Sequence, residues 1–410
     1  MVKNINLYRS HLTEIGEDGK NYLIGNLLSG FGFAAFSLLF NLFLKNNGVN
    51  EGSIGNLLSI GTYTTVFLIL PAAYIVKRFP ISKIITVSPI VTVLGYFIAI
   101  QSNSIQMRML GFIIAGSAGA FNSVIGGPFI MRITSDASRT FLFSLNHATM
   151  LLAGITGNLI AGFLPKILSQ IGTTESNALR YAIFLHLFAA LFSSIFFSKI
   201  TIKKLYDENL KGPAKVNTSK RLLLYLVLPP MTVGLGAGMT IPFLNLYFRS
   251  VFKLEPQIIG VIFAGAQALT VLGALAGPML SKRFGLIKTV IITQLISIPF
   301  LFILGFTYFL PAVLLAFLLR NMLMNMASPL STNFAMEVVS PEDRPLTSGL
   351  LSVAWLATWG LTANAGGILI EKYGYRIPFC CTIFFYLLSS FLYWKLLRPI
   401  EKRRSIKNGI

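Results

Sequence analysis

The sequence predicts an all-α polytopic membrane protein, with twelve transmembrane helices in two pseudo-symmetric six-helix bundles. Three observations carry that expectation. First, 54% of the 410 residues are hydrophobic and only 12% are charged, where a soluble domain carries about 25% charged residues. With a mean hydropathy of +0.71, this much apolar surface needs lipid. Second, the apolar residues fall into twelve runs near the length of about 20 residues that crosses a hydrocarbon core. Third, the chain repeats itself. Ile54-Gly55, Lys77-Arg78-Phe79, Met131, Ser135 and Arg139 recur as Ile259-Gly260, Lys282-Arg283-Phe284, Met336, Ser340 and Arg344, at a constant offset of 205 residues. With a one-residue slip, Asn41-Leu42-Phe43 matches Asn245-Leu246-Tyr247. One register held over four hydrophobic segments marks one unit written twice.

Residues 1–21 form a polar N-terminal segment without the apolar run of a cleavable signal. Ile5, Tyr8, Leu12 and Ile15 have the spacing of a short surface helix, and a disordered tail fits equally well. The first bundle, 22–198, holds spans at 22–44, 54–76, 84–100, 109–131, 141–164 and 181–198. Residues 199–221 are a basic linker with a break at Gly212-Pro213. The second bundle, 222–397, holds spans at 222–248, 258–280, 286–306, 312–334, 346–370 and 378–397, followed by a basic tail, 398–410. Spans nine and ten are separated by little more than Thr307 to Pro311, a tight hairpin. Prolines inside spans (Pro71, Pro89, Pro128, Pro229-Pro230, Pro242, Pro278, Pro299, Pro329) are tolerated where neighbours re-satisfy the freed backbone groups. Glycines such as Gly116, Gly157, Gly234, Gly236 and Gly238 suit close helix packing.

The formal net charge of +20 would suggest nucleic acid in a soluble protein. Here the basic residues sit in short loops and act as topology signals. With both termini and the linker in the cytoplasm, inner segments outnumber outer ones in Lys and Arg by roughly three to one. This places the chain in an inner or plasma membrane with both ends inside. The adjacent Cys380 and Cys381 lie in an apolar run and read as packed or lipid-facing thiols.

Two six-span halves in parallel repeat, joined by a basic loop, resemble the major facilitator superfamily over essentially the whole chain. Its local motifs are altered. The family's Gly-x-x-x-Asp-Arg-x-Gly loop after span two reads Ala73-Tyr74-Ile75-Val76-Lys77-Arg78-Phe79-Pro80, which keeps the arginine and replaces the acid with Lys77. The second copy, Lys282-Arg283-Phe284-Gly285, also lacks the acid. The antiporter signature Gly-Pro-x-x-Gly-Gly of span five corresponds to Gly157-Asn158-Leu159-Ile160-Ala161-Gly162. The resemblance to the drug-antiporter branch is correspondingly weak. It implies that spans 1, 2, 4, 5, 7, 8, 10 and 11 line the path and that 3, 6, 9 and 12 face outward. It also marks Lys77, Arg78, Arg139, Lys282, Arg283 and Arg344 as gating-loop residues.

Polar groups inside spans are costly and point to function. Arg320 stands out, with Asn321, Asn325, Ser328 and Thr332 following at steps of 4, 3 and 4 on one stripe. The planar guanidinium suits a carboxylate or phosphate on the solute, with help from Asn321 and Asn325. A purely structural arginine, satisfied by carbonyls and asparagines, is the competing reading. Trp355 and Trp359, one turn apart, form an aromatic wall for a ligand or plain packing. Tyr63, Asn122 and Gln267 are mid-depth polar groups on lining spans. His147, beside Asn146, has the one near-neutral reference pKa on a lining span and is the candidate proton carrier, or a structural histidine. None of the fourteen Asp and Glu lies mid-span, which argues against an ordinary exchange of protons for cationic drugs.

No catalytic, metal-ligating or phosphate-cradling pattern is present, so no cofactor or enzyme activity is expected. The leading expectation is a monomeric secondary transporter of a small organic solute, amphipathic and anionic if Arg320 binds it, working by alternating access with or without a coupled proton. Multidrug efflux by antiport is the nearest rival; a lipid flippase or a non-transporting membrane receptor is the rival from another class.

Overall fold

A computed structural model describes residues 16–134, 136–202 and 217–407. The surface-helix residues Ile5, Tyr8, Leu12 and Ile15, the linker residues 203–216 and the last three residues lie outside them. Twelve helices are long and apolar enough to cross a membrane, with no strands among the described residues. In order they are Gly16–Asn46, Glu51–Arg78, Ile81–Gln101, Ile105–Ile133, Phe141–Gln170, Glu175–Ser198, Lys220–Phe252, Pro256–Phe284, Leu286–Phe306, Leu310–Val338, Pro341–Tyr373 and Arg376–Arg404. They are called spans one to twelve. Most extend a turn or more beyond the expected apolar runs, because polar residues at each end continue the helix.

The chain divides into two compact units. One comprises Met1–Asn47, Ile60–Lys211 and Glu255–Ala264; the other comprises Gly48–Ser59, Gly212–Leu254 and Gly265–Ile410. In lipid, burying an apolar side chain against another helix gains little over burying it in acyl chains. Close backbone approach and hydrogen bonds carry more of the packing. In the first unit, a Cβ on Gly32 of span one would lie 2.5 Å from Ala190 Cβ and 2.7 Å from the His186 carbonyl of span six. Gly95 and Gly111 join spans three and four in the same way. Asn26 Nδ2 donates to Asn146 Oδ1 at 2.7 Å, tying span one to span five. In the second unit, Gly234 and Gly238 of span seven lie against Thr358, Thr362 and the Trp355 and Trp359 carbonyls of span eleven. The first turn of span two packs there too. Gly367 leaves room for the Glu51 carbonyl, and Glu371 accepts from Asn50 Nδ2 at 3.0 Å and Gly52 N at 3.1 Å.

Each unit has an apolar core, and the two are built from equivalent residues. Ile85, Ile125, Phe129 and Ile130 belong to the first; Val290, Leu330, Phe334 and Ala335, each 205 positions later, belong to the second. The repeat seen in the sequence is thus a repeat of packing.

Two interruptions depart from continuous spans. Span seven breaks at a 3₁₀ turn, Ile241–Phe243. Pro242 cannot donate a helical hydrogen bond and clashes with the preceding turn. Span twelve passes through a π-helical stretch, Tyr393–Leu397, into Arg398–Lys407. That last helix turns Glu401 toward span nine, where Glu401 Oε1 accepts from Ile287 N at 3.0 Å and supplies the acceptor that helix start lacks. The described ends of the linker are held by acids as well. Asp18 accepts from Thr201 N and Oγ1, both at 2.9 Å. Asp343 Oδ2 accepts from Asn217 N at 3.0 Å and Thr218 N at 2.6 Å.

Candidate solute site

The residues singled out from the sequence divide between the units. In the first, Tyr63 on span two is half-buried and lies 6.3 Å from the Phe67 ring, centroid to centroid. Asn122 on span four is exposed and its Oδ1 accepts from Ser88 Oγ at 2.8 Å. His147 on span five is exposed, next to the Asn146 carboxamide held by Asn26.

In the second unit, helical geometry separates Arg320 from its neighbour Asn321. Successive side chains turn about 100° around a helix. Asn321 Nδ2 donates to the Ala266 carbonyl and Thr270 Oγ1 of span eight, both at 3.1 Å, beside half-buried Gln267. Asn325, exposed one turn on, donates to Asn321 O at 2.9 Å and Oδ1 at 3.2 Å. Arg320 points elsewhere. It is 4% exposed, and its Nη2 donates to the Tyr386 hydroxyl of span twelve. Its guanidinium carbon sits 5.5 Å from the Tyr386 ring centre. Arg320 and the asparagine pair therefore do not converge on one point.

Trp355 and Trp359 are stacked, with ring centres 6.4 Å apart and planes 27° from parallel. Trp355 is 38% exposed. Their backbone is pressed onto the glycines of span seven, which sets the helix rotation and turns the indoles away from that contact. A stacked, partly exposed indole pair offers a flat, electron-rich surface that attracts organic cations and apolar groups.

The loop arginines Arg78 and Arg283 each lie over an aromatic ring, but not at equivalent positions of the repeat. The Arg78 guanidinium lies 4.2 Å over the Tyr74 ring, and that of Arg283 lies 5.3 Å over Phe284. Arg344 Nε donates to the Met336 carbonyl at 3.0 Å. Lys77 and Lys282 are exposed and Arg139 is half-buried.

Residues that sequence reasoning passed over are Tyr386, and the tethering acids Asp18, Asp343, Glu371 and Glu401. Tyr386 was hidden because span twelve was expected to face outward, yet its ring is 1% exposed. No local pattern marks a bond across 66 residues.

Twelve packed spans in two repeated units, with polar and aromatic groups set into them, define an integral multi-pass membrane transporter. The Major Facilitator Superfamily profile matches residues 22–231 and 226–409, and the chain belongs to that family. The chain is 24% identical to the choline/ethanolamine transporter FLVCR2 of Rattus norvegicus, over 94% of this chain and 74% of that one. Its fold is similar to a bacterial homologue of the human lysosomal transporter Spinster, with a TM-score of 0.76 at 14% identity, covering 95% and 97% of the two chains. It is also similar to the nucleoside transporter NupG, with a TM-score of 0.73 at 13% identity, covering 93% and 99%.

Proposed function

We propose that this protein is a secondary transporter that moves a small hydroxylated amine of the choline or ethanolamine kind by alternating access. The stacked Trp355–Trp359 pair carries this reading. A quaternary ammonium has no N–H to donate and is recognised through aromatic faces. Such a site works without a mid-span carboxylate, and the acids of the described spans lie near their ends. The similarity to a choline/ethanolamine transporter supports the same class. Asn321, Asn325 and Gln267 are polar partners for the hydroxyl end, and Tyr63 and Asn122 are the corresponding candidates in the first unit.

A second reading, an anionic solute held by Arg320, is favoured by one observation: its Nε has no acceptor. The test is uptake into proteoliposomes of labelled choline and ethanolamine, set against a labelled organic carboxylate and a lipophilic drug. Choline-type uptake is expected. Replacing Trp355 or Trp359 by Leu should weaken it by about 2- to 30-fold, the range of one cation–π contact. Uptake of the carboxylate alone, lost in Arg320→Lys, would establish the second reading. Transport of many unrelated drugs would point to multidrug efflux, and lipid scrambling without solute uptake to a flippase.

A further inference from the structure

Arg320 is a buried cation without a buried anion. Its Nε–H is sealed from solvent and has no hydrogen-bond partner. No carboxylate among the described residues reaches it, and its guanidinium makes one hydrogen bond, to Tyr386. That phenol, accepting from Nη2, still has its own proton to give, and no described acceptor takes it. Around them the second unit is polar at depth. Ser390, one turn beyond Tyr386, donates to Gln294 Oε1 of span nine at 3.0 Å and to the Tyr386 carbonyl at 2.9 Å. Ser297 Oγ lies 3.5 Å from Met324 Sδ, one turn beyond Arg320. Gly236 of span seven closes the other side, where a Cβ would come within 2.9 Å of the Tyr386 ring.

We infer that Arg320 and Tyr386 hold a small monovalent inorganic anion, of the halide class, inside the second unit between spans ten and twelve. A lone buried charge is strongly unfavourable unless it is compensated, and here the chain supplies only the Tyr386 hydroxyl and ring and leaves Nε–H unpartnered. The donors fit such an ion. Nε–H and a phenol O–H are two donors beside a single positive charge. That number suits one dehydrated monovalent sphere and is too few for phosphate or sulfate. The weakly hydrated guanidinium also sheds water more readily than an ammonium would. The inference is independent of the choline-type reading, since it concerns Arg320 and not the indole pair. It differs from the anionic-solute reading in that the ion is bound in the absence of any solute.

The test uses the full-length protein purified in detergent with no solute. Its thermal midpoint is followed as sodium chloride replaces sodium gluconate at constant ionic strength. A ligand bound only by the folded state raises that midpoint with concentration. Tm is expected to rise by about 3–5 °C over the titration, and bromide should substitute for chloride. Tyr386→Phe, which keeps the ring and removes one donor, should shift the titration to several-fold higher chloride. Arg320→Met should abolish the dependence and match the chloride-loaded protein in gluconate, because an apolar isostere needs no counter-ion. Coincident wild-type curves in chloride and gluconate would overturn the proposal, as would an unchanged titration in Tyr386→Phe. Stabilisation by acetate where chloride gives none would overturn it too, and would assign the pair to a solute carboxylate.

Discussion

Gly32 leaves no space for even one added carbon, because the obstruction is backbone and Cβ of span six and not a flexible side-chain end. Gly32→Ala should therefore cost about 1–3 kcal/mol by overpacking, read as a lower Tm in detergent. Gly127 is its control. Nothing lies within 4 Å of a Cβ built there, so Gly127→Ala should leave Tm unchanged or raise it through better helix propensity. His147 belongs to the same scale. It is exposed on span five, beside the one asparagine of that span that is fixed to span one. If transport is proton-coupled, His147→Gln should abolish accumulation driven by a pH gradient and spare downhill exchange. Accumulation equal to wild type would remove His147 from the coupling.

At the level of elements, helix ends are held by acids from distant parts of the chain. Glu401 serves the start of span nine, and Asp343 gathers two amides at the end of the linker. Asp343 is 2% exposed and Thr218 is buried, so removing the carboxylate leaves the Thr218 amide poorly satisfied. Asp343→Ala should lower Tm clearly more than Glu401→Ala, whose loss is that of a half-buried cap, about 1 kcal/mol. An Asp343→Ala midpoint equal to that of the wild type would show that the Asp343 carboxylate does not bear on stability. Helix breaks follow the same economy of hydrogen bonds. Span seven stays helical through the Pro229-Pro230 step, and the Ser389 and Thr232 hydroxyls bond the Pro229 carbonyl there at 3.1 and 2.7 Å. At Pro242 the helix gives way to a 3₁₀ turn.

For the whole molecule, orientation in the membrane rests on charge. The excess of Lys and Arg in alternate loops predicts that the linker and both termini face the cytoplasm. Single cysteines in place of Lys211 and Lys372 test this in intact cells, after the native Cys380, which is exposed, and Cys381 are replaced. Lys211→Cys should be labelled only after the membrane is permeabilised, and Lys372→Cys by an impermeant reagent from outside. The reverse pattern at either site would invert the topology.

Span number, the twofold repeat and the family were legible in the sequence because they depend on properties summed along the chain. Hydropathy over some 20 residues decides whether a segment enters lipid. A constant offset decides whether two halves share a plan, as the matched pairs Ile125 with Leu330 and Phe129 with Phe334 confirm within their cores. The partners of Arg320 and Asn321 were not legible. In a soluble helix the apolar stripe reports which face is inward. In a membrane helix both the packed and the lipid-facing sides are apolar, so hydropathy is silent about rotation around the axis. Only the packed helices, registered at contacts such as Gly273 of span eight against the Met322 carbonyl of span ten, set that rotation. It sends the guanidinium of Arg320 to Tyr386 and the carboxamide of Asn321 to span eight.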